Sequence, residues 1–219
     1  MSAWLRSCAA LLALALIMSI VGIRAGSALA DDDPVIQPDQ AEMFIKDLSQ
    51  KAIAVLRDDN KTEAEREAIF RGLLQSGFDM KFISRFVLGI NWRKATDQQR
   101  EEYRALFNEY VLKTYSARLG GFKNEEFKIT GSQPAGKKDI MVHSKVVRPT
   151  GPPVTADWRV RLVDGSPKVI DVVVEGVSMS ISQRQEFASV VQSKGIDGLI
   201  EMLRSRVNGS APATSDQSG

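Results

Sequence analysis

The hydrophobic pattern changes its period in the middle of the chain, and this change constrains the fold more than any other feature. Over residues 38–119 apolar residues recur every three or four positions, which is the spacing of amphipathic helices. Over residues 127–174 they alternate with polar residues, as in strands with one apolar and one polar face. Helical spacing returns at Ser182 and continues to Val207, with a break at Gly195. This order predicts an α+β fold, in which a curved antiparallel sheet of about four to five strands is covered by helices.

Short polar motifs mark where several of the helices begin. Pro38 is typical of a first helical turn, and Thr62 with Glu65 forms a capping box. Thr96 with Gln99 forms a second capping box before a long helix with an unusually aromatic face. That face comprises Tyr103, Leu106, Phe107, Tyr110, Val111, Tyr115 and Leu119. Such a stripe either fills a core or borders a pocket, so the pattern alone indicates only a soluble α+β domain.

The first thirty residues have the organisation of a secretory signal peptide. Arg6 precedes an apolar run over residues 9–21, and residues 28–30 supply a small-x-small cleavage motif. An uncleaved membrane anchor is the alternative, but the run is shorter than the roughly 20 residues that span a bilayer. We therefore expect an exported protein that is cleaved after Ala30.

Three segments are expected in the mature chain. Residues 31–37 form a flexible leader, residues 38–207 the folded domain, and residues 208–219 a disordered tail rich in Ser, Pro, Ala and Gly.

Removal of the signal peptide takes away two arginines, so the formal net charge falls from +2 to zero. A neutral chain is not expected to bind nucleic acid, whose recognition favours a basic excess.

The sequence offers few residues for catalysis or metal binding. Cys8 lies in the signal peptide, which leaves His143 as the one mature His or Cys side chain, so a His/Cys metal cluster is excluded. No G-x-S-x-G, G-x-G-x-x-G or P-loop motif is present. We therefore predict no enzyme activity, no metal and no cofactor.

One pair of carboxylates is spaced for general acid–base work. Asp171 and Glu175 are four residues apart in a strand pattern and are able to share one face. We prefer the interpretation that both lie on the polar face of the sheet, near Arg159 and Arg161 of the neighbouring strand.

Two segments resemble a known family. FVLGINWRKAT at residues 86–96 is similar to a conserved motif of the MlaC family, also called the toluene-tolerance family, and the likeness continues to Tyr115. EGVSM at residues 175–179, followed by GIDGL at residues 195–199, resembles the ending of the same family. The order and spacing also agree, and the likeness covers roughly residues 40–207.

The resemblance implies a function in lipid transport. Members of this family are periplasmic proteins that pass phospholipid between an inner-membrane ABC transporter with an MCE-domain ring and an outer-membrane lipoprotein–porin complex. Their fold is a strongly bent sheet with helices that enclose an apolar cavity for the acyl chains, and we expect a monomer that carries lipid as cargo.

Three alternatives remain open at this point. The hopanoid-associated branch HpnM resembles the same family and would carry a rigid polycyclic lipid. A cavity enzyme on a scaffold like that of ketosteroid isomerase needs an ionisable group facing the cavity, whereas only apolar residues and Ser144 are expected at inward positions of the strands. A periplasmic chaperone would need an exposed apolar groove.

Candidate lipid-binding residues come from the resemblance and from strand periodicity. The resemblance places Tyr115 and Val177 at the cavity. Gly176, next to Val177, either lets the strand end bend towards the cavity mouth, where backbone amides would meet a phosphate, or lies in a plain turn. Alternation gives the inward strand residues Val142, Trp158, Val160, Leu162, Val172 and Val174. The remaining candidates from the matched segments and the aromatic stripe are Phe86, Leu88, Trp92, Phe107, Tyr110, Val111 and Met179.

Overall fold

The structure is a computed structural model, and it describes residues 35–119 and 125–209. The predicted signal peptide with its cleavage site, and most of the predicted C-terminal tail, lie outside these residues. The first helices are α1 (Pro38–Arg57), α2 (Glu63–Gly77), α3 (Met80–Leu88), α4 (Asn91–Lys94) and α5 (Asp97–Leu119). The strands are β1 (Glu126–Pro134), β2 (Asp139–Val147), β3 (Val154–Val163), β4 (Ser166–Val174) and β5 (Val177–Ser178), and α6 (Met179–Val207) follows.

The five strands form one antiparallel sheet in the order β1-β2-β3-β4-β5. The register shifts between Ile129 and Gly131 in the β1–β2 pairing and between Arg159 and Val160 in the β3–β4 pairing. Irregularities of this kind bend a strand and increase its local twist. The predicted α+β fold with an antiparallel sheet is confirmed.

The helix starts follow the capping motifs of the sequence. Thr62 and Glu65 exchange hydrogen bonds with each other's backbone amides, and Thr96 and Gln99 do the same. None of the helices within the described ranges combines the length and the hydropathy needed to cross a bilayer.

Helix α6 begins earlier than predicted. The sequence predicts a start at Ser182, whereas the helix starts at Met179 because the Ser178 side chain accepts a hydrogen bond from the Ile181 amide. Ser182 instead donates from its hydroxyl to the Ser178 carbonyl, inside the first turn. The predicted break at Gly195 is confirmed, since this residue has φ 72° and ψ −179° within α6.

One residue of the expected flexible leader, Ile36, is buried in the structure. Ile36 is only 1% exposed and belongs to the core between α1 and the sheet, together with Ile45, Val142 and Val160. Burial of an apolar side chain of this size stabilises the folded state by roughly 2 kcal/mol, which anchors the chain ahead of the first helix.

Three clusters of buried side chains make up the core. One lies between α1 and the sheet, a second is built by α3, α5 and α6, and a small third cluster comprises Val55, Phe70 and Leu112. The candidate site lies where these clusters meet, because residues of all three contribute to its walls.

Candidate lipid cavity

A cavity of about 380 Å³ lies between the helices and the sheet. This volume falls within the range of roughly 300–1,000 Å³ that is typical of small-molecule sites. Its walls come from α1, α2, α3, α5, α6, β3 and β4. The lining residues are Ile45, Leu48, Ser49, Ala52, Phe70, Leu73, Leu74, Phe78, Met80, Ile83, Val87, Phe107, Val111, Leu112, Tyr115, Ala156, Trp158, Asp171, Val172, Val174, Met179, Ser180 and Gln183. Most of these side chains are apolar, so the space suits hydrocarbon.

Two aromatic side chains in the first half of α5, Tyr103 and Phe107, pack against Phe187 of α6. Tyr103 and Phe107 lie with ring centroids 6.3 and 6.2 Å from that of Phe187, and 5.7 Å from each other. All three rings are fully buried. Further along α5, Val111 and Tyr115 face the cavity. The aromatic stripe therefore serves both purposes that the sequence left open, since one part fills the core and another borders the cavity.

Trp158 contributes an apolar surface to the cavity because its polar atom is already bonded. The indole Nε1–H donates to Ser144 Oγ at 3.0 Å, and Ser144 in turn donates to the Ala156 carbonyl. Ser144 is buried, and these two hydrogen bonds give both the Ser144 hydroxyl and the Trp158 indole N–H a partner without a water molecule. The Phe127 ring packs edge-on at 6.2 Å and holds the indole in place.

Asp171 lies opposite Arg159 in the β3–β4 pairing, as the sequence predicted. Within the described residues neither Arg159 nor Arg161 forms an ion pair with it, because both bind the buried Asp139. Asp171 is also among the residues that line the cavity, which corrects a second expectation. An ionisable side chain is therefore present at the cavity, where only apolar residues and Ser144 were expected. The reason is the start of α6, whose Ser178 hydroxyl and Ser180 amide draw the carboxylate towards them at 2.6 and 3.1 Å.

Glu175 does not share a site with Asp171. It lies in the two-residue turn between β4 and β5 with Gly176, and both residues have positive φ, as in the type I′ turns of tight hairpins. Its carboxylate accepts hydrogen bonds from the Thr155 amide and hydroxyl. The two carboxylates thus belong to separate hydrogen-bond networks, and Gly176 lies in a turn.

Tyr115 lines the cavity and is 37% exposed, so its side chain contacts both the cavity and solvent. Val177 is 52% exposed in β5 and lies outside the lining.

A second cavity, of about 520 Å³, shares Leu74, Phe78, Met80 and Leu112 with the first. Its rim carries several charged side chains, so it suits hydrocarbon less well than the smaller cavity does. They are Arg71, Asp79, Lys81, Glu109 and Lys168.

The structure brings part of the predicted lipid-binding set together. Seven of these residues line the cavity: Phe107, Val111, Tyr115, Trp158, Val172, Val174 and Met179. Val142 and Val160 lie in the core between α1 and the sheet, with Leu162 packed against it. Phe86, Leu88, Trp92 and Tyr110 belong to the core of α3, α5 and α6. Strand alternation identifies the inward face but not which part of that face α1 covers. Contact with lipid stays a prediction for these residues. For Val177 the family resemblance favours such contact, whereas its position outside the lining argues against it.

Sequence reasoning missed the contribution of the first two helices. Ile45, Leu48 and Ala52 of α1, and Leu73 and Leu74 of α2, all line the cavity. Each lies on an apolar stripe that is visible in the sequence, but a stripe does not distinguish residues that touch other helices from residues that border empty space. Within the described ranges, no three His, Cys, Asp or Glu side chains come together in a way that suits a metal ion.

Comparison with known proteins identifies related chains. Residues 46–205 match the family model described as MlaC protein. The intermembrane phospholipid transport system binding protein MlaC of Haemophilus influenzae is 24% identical over 81% of this chain and 84% of its own length. The toluene tolerance protein ttg2D of Pseudomonas putida is 24% identical over 54% of this chain and 56% of its own length.

A solved structure has the same fold. The phospholipid-binding protein of Ralstonia solanacearum, determined in complex with a phospholipid, superimposes with a TM-score of 0.68. The match covers 77% of this chain and 97% of that protein, at 24% sequence identity. At this identity the likeness supports the fold assignment.

Proposed function

Because the chain belongs to the MlaC family, we propose that it is a phospholipid shuttle, which carries lipid across the periplasm with its acyl chains in the cavity. The observation that carries this proposal is the apolar space between α5 and the strands β3 and β4, which the protein's own side chains leave unfilled. The names of its relatives refer to phospholipid transport and to phospholipid binding, which fits such a cargo.

The energetics of lipid transfer explain why a closed apolar cavity is required. Each methylene exposed to water costs roughly 0.8 kcal/mol, so a sixteen-carbon chain that crosses water alone costs about 12 kcal/mol. A protein lowers this cost by surrounding the chain with apolar walls. Trp158, Val172 and Val174 would form one wall, and Val111 with Tyr115 the other. The headgroup would remain near Tyr115, whose side chain contacts both the cavity and solvent.

The partners and the compartment follow from the same proposal. A shuttle must receive lipid from one membrane system and deliver it to another, which in this family would be the inner-membrane ABC transporter with its MCE-domain ring and an outer-membrane lipoprotein–porin complex. Residues 1–30 would direct the chain to the periplasm and be removed there. We propose that the mature protein acts as a monomer, because one chain contains the whole cavity.

Asp171 is the one observation that favours a cavity enzyme, and its bonding argues for a structural role. One carboxylate oxygen accepts hydrogen bonds from the Val172 and Ser180 amides, and the other from the Ser178 hydroxyl. A general base needs a free oxygen directed at a substrate proton. Since these donors hold both oxygens, we favour a carrier without catalysis.

Organic extraction of the protein purified from its native periplasm, followed by mass spectrometry, tests the proposal. We expect about one lipid per chain, as a single enclosed site would hold. A diacyl phospholipid would support the proposed cargo, and a polycyclic hopanoid would assign the alternative cargo to the same cavity. Protein that contains no lipid, and takes up none from phospholipid vesicles, would contradict a carrier function.

A further inference from the structure

A second surface of the molecule, formed by α3, α4 and the neighbouring turns of α5 and α6, is unusually cationic. Its five cationic side chains form no ion pair in the part of the chain that the structure describes, although ion pairs hold other cations of α5 and α6 such as Arg100, Arg204 and Arg206. The five are Arg85, Arg93, Lys94, Arg104 and Arg184. We call this region the α3–α4 basic surface.

Aromatic rings fix the position of two of these guanidinium groups. Arg184 lies 5.2 Å above the Phe86 ring, and Arg104 lies 5.7 Å from the centre of the Trp92 ring. Arg100 stacks on the same Trp92 ring at 5.7 Å and donates to the Trp92 carbonyl at 2.8 Å. An arginine held on a ring keeps its donors directed outward and loses little side-chain entropy when it meets a carboxylate.

An exposed apolar residue lies in the middle of this surface. Ile90 is 55% exposed, between Gly89, which closes α3, and Asn91, which opens α4. Arg184 approaches Gly89 so closely that a Cβ atom there would be 2.9 Å from the arginine Nε. An exposed apolar side chain among oriented arginines and an aromatic ring matches the composition of the energetically dominant part of a protein interface.

We propose that the α3–α4 basic surface is the docking site for a protein partner that presents carboxylates around an apolar contact for Ile90. The charge pattern favours a protein over an anionic membrane. Asp97, which follows Lys94 by three residues, is paired with Arg100 at 2.8 Å but keeps 98% of its side chain exposed. The surface thus presents a carboxylate among its cations, and a partner with patterned charge accommodates both signs better than a uniformly anionic surface does.

The position of α3 connects this surface with the cavity. Met80, Ile83 and Val87 of α3 line the cavity, while Arg85 of the same helix is exposed on the basic surface. A partner that binds here contacts a helix that also forms a cavity wall. The assignment deepens the proposed function, because a shuttle must dock to exchange its cargo, but it depends on different residues from those that hold the lipid.

Photocrosslinking in the native host tests this assignment directly. p-Benzoylphenylalanine is placed at Ile90 and, as the matched control, at Met43 of α1, which is 61% exposed. We expect a protein crosslink from position 90 and none to the same protein from position 43. Mass spectrometry of the crosslinked peptide is expected to find Asp or Glu residues next to the attachment point.

Charge reversal supplies the second part of the test. The double variant Arg93→Glu with Lys94→Glu is expected to lower the crosslink yield at least about tenfold, because like charges then face each other across the interface. The control Lys46→Glu with Lys145→Glu changes the net charge equally on α1 and β2 and should leave the yield unchanged. Reversal of the partner's mapped carboxylates to Lys should restore crosslinking to the Arg93→Glu, Lys94→Glu variant.

Other outcomes would overturn the assignment. These are the absence of a protein crosslink at position 90, a crosslinked segment without carboxylates, or a yield that the double reversal does not change. A lipid adduct at position 90, or binding to phosphatidylglycerol vesicles that the double reversal removes, would identify a membrane surface instead.

Lipid content is measured on the same variants and should match the unmodified protein. If the unmodified protein contains no lipid while the crosslink behaves as expected, the carrier function fails and the docking surface stands.

Discussion

The Asp171 carboxylate accepts a hydrogen bond from the Ser178 hydroxyl at 2.6 Å, and this contact joins the end of the sheet to the start of α6. Ser178 is also the N-cap of α6, so one hydroxyl donates to Asp171 and accepts from the Ile181 amide. The Ser180 amide, which has no partner within its own helix, donates to the same carboxylate at 3.1 Å. A cavity wall and a helix start are thus stabilised by one network.

The first prediction concerns this network. Asp171→Ala should lower the free energy of unfolding by about 1–3 kcal/mol, because it leaves the Ser180 amide and the Ser178 hydroxyl without their acceptor. Asp171→Asn keeps one acceptor oxygen and should cost less. Urea unfolding followed by circular dichroism measures both. Equal stability of the alanine variant and the unmodified protein would show that the network contributes nothing.

The second prediction tests whether lipid binding depends on the residues that line the cavity. Val174→Asp places a carboxylate in the apolar lining, where an unpaired charge costs several kcal/mol, so copurifying lipid should fall to less than about a tenth of its normal level. Val177→Asp introduces the same charge three residues away, at a position that is 52% exposed and outside the lining, and should retain lipid. Phosphate analysis of the extracted protein gives the comparison. Loss of lipid in both variants would place Val177 at the site, as the family resemblance suggests.

The third prediction concerns the kink in α6. Gly195→Ala should destabilise the protein by about 1–3 kcal/mol, since φ 72° with ψ −179° is almost closed to residues with a Cβ atom. No neighbouring atom lies within 4 Å of the position of the added methyl group, so the cost is purely conformational. Gly72→Ala, at an exposed position inside α2 with equally open space, should instead stabilise by roughly 0.5–1 kcal/mol. Thermal unfolding of the two variants would reveal opposite shifts, and shifts of the same sign would refute this account of the kink.

The fourth prediction is a pH dependence that arises from Tyr103. Burial raises the pKa of its phenol well above the ordinary value of 10.0, because the anion would lose its hydration. Above pH 10 the unfolded chain releases this proton while the folded chain retains it, so stability falls as the pH rises. Tyr103→Phe should flatten this fall, and it should cost about 1 kcal/mol at neutral pH through loss of the 3.0 Å hydrogen bond to the Ser84 carbonyl. Denaturant titrations at several pH values compare the two proteins, and parallel slopes above pH 10 would exclude Tyr103 as the source.

Local features of the fold could be predicted because their causes lie within a few residues. The capping box of Thr96 with Gln99 needs only a hydroxyl and an amide three positions apart, and Gly195 interrupts a helix through its own backbone. The start of α6 could not be located this way, because Ser178 and Ser182 are both acceptable N-caps. The choice between them depends on β5, which pairs with β4 and ends at Ser178.

The cavity was harder to predict than the fold because an empty space has no sequence pattern. Val142 and Val172 both lie on the apolar face of the sheet, yet one is covered by α1 and the other borders the cavity. Likewise, Phe107 and Tyr110 lie on one stripe of α5 and both pack against Phe187 of α6, yet Phe107 also borders the cavity and Tyr110 does not. Whether an apolar residue is covered or left open depends on how far the helices stand from the sheet, which is a property of the assembled fold.

The order of the strands has a consequence for how the chain folds. Every strand pairs with its neighbour in sequence, so each step of sheet formation closes only a short loop. Such a meander is able to assemble by successive hairpins, on a timescale of roughly microseconds per hairpin. Contacts of α1 with β1 and of α5 with α6 instead join distant parts of the chain and carry the larger entropic cost. We therefore expect the sheet to form early and the closure of the helices over it to limit the rate of folding, so that the cavity acquires its walls in the last step.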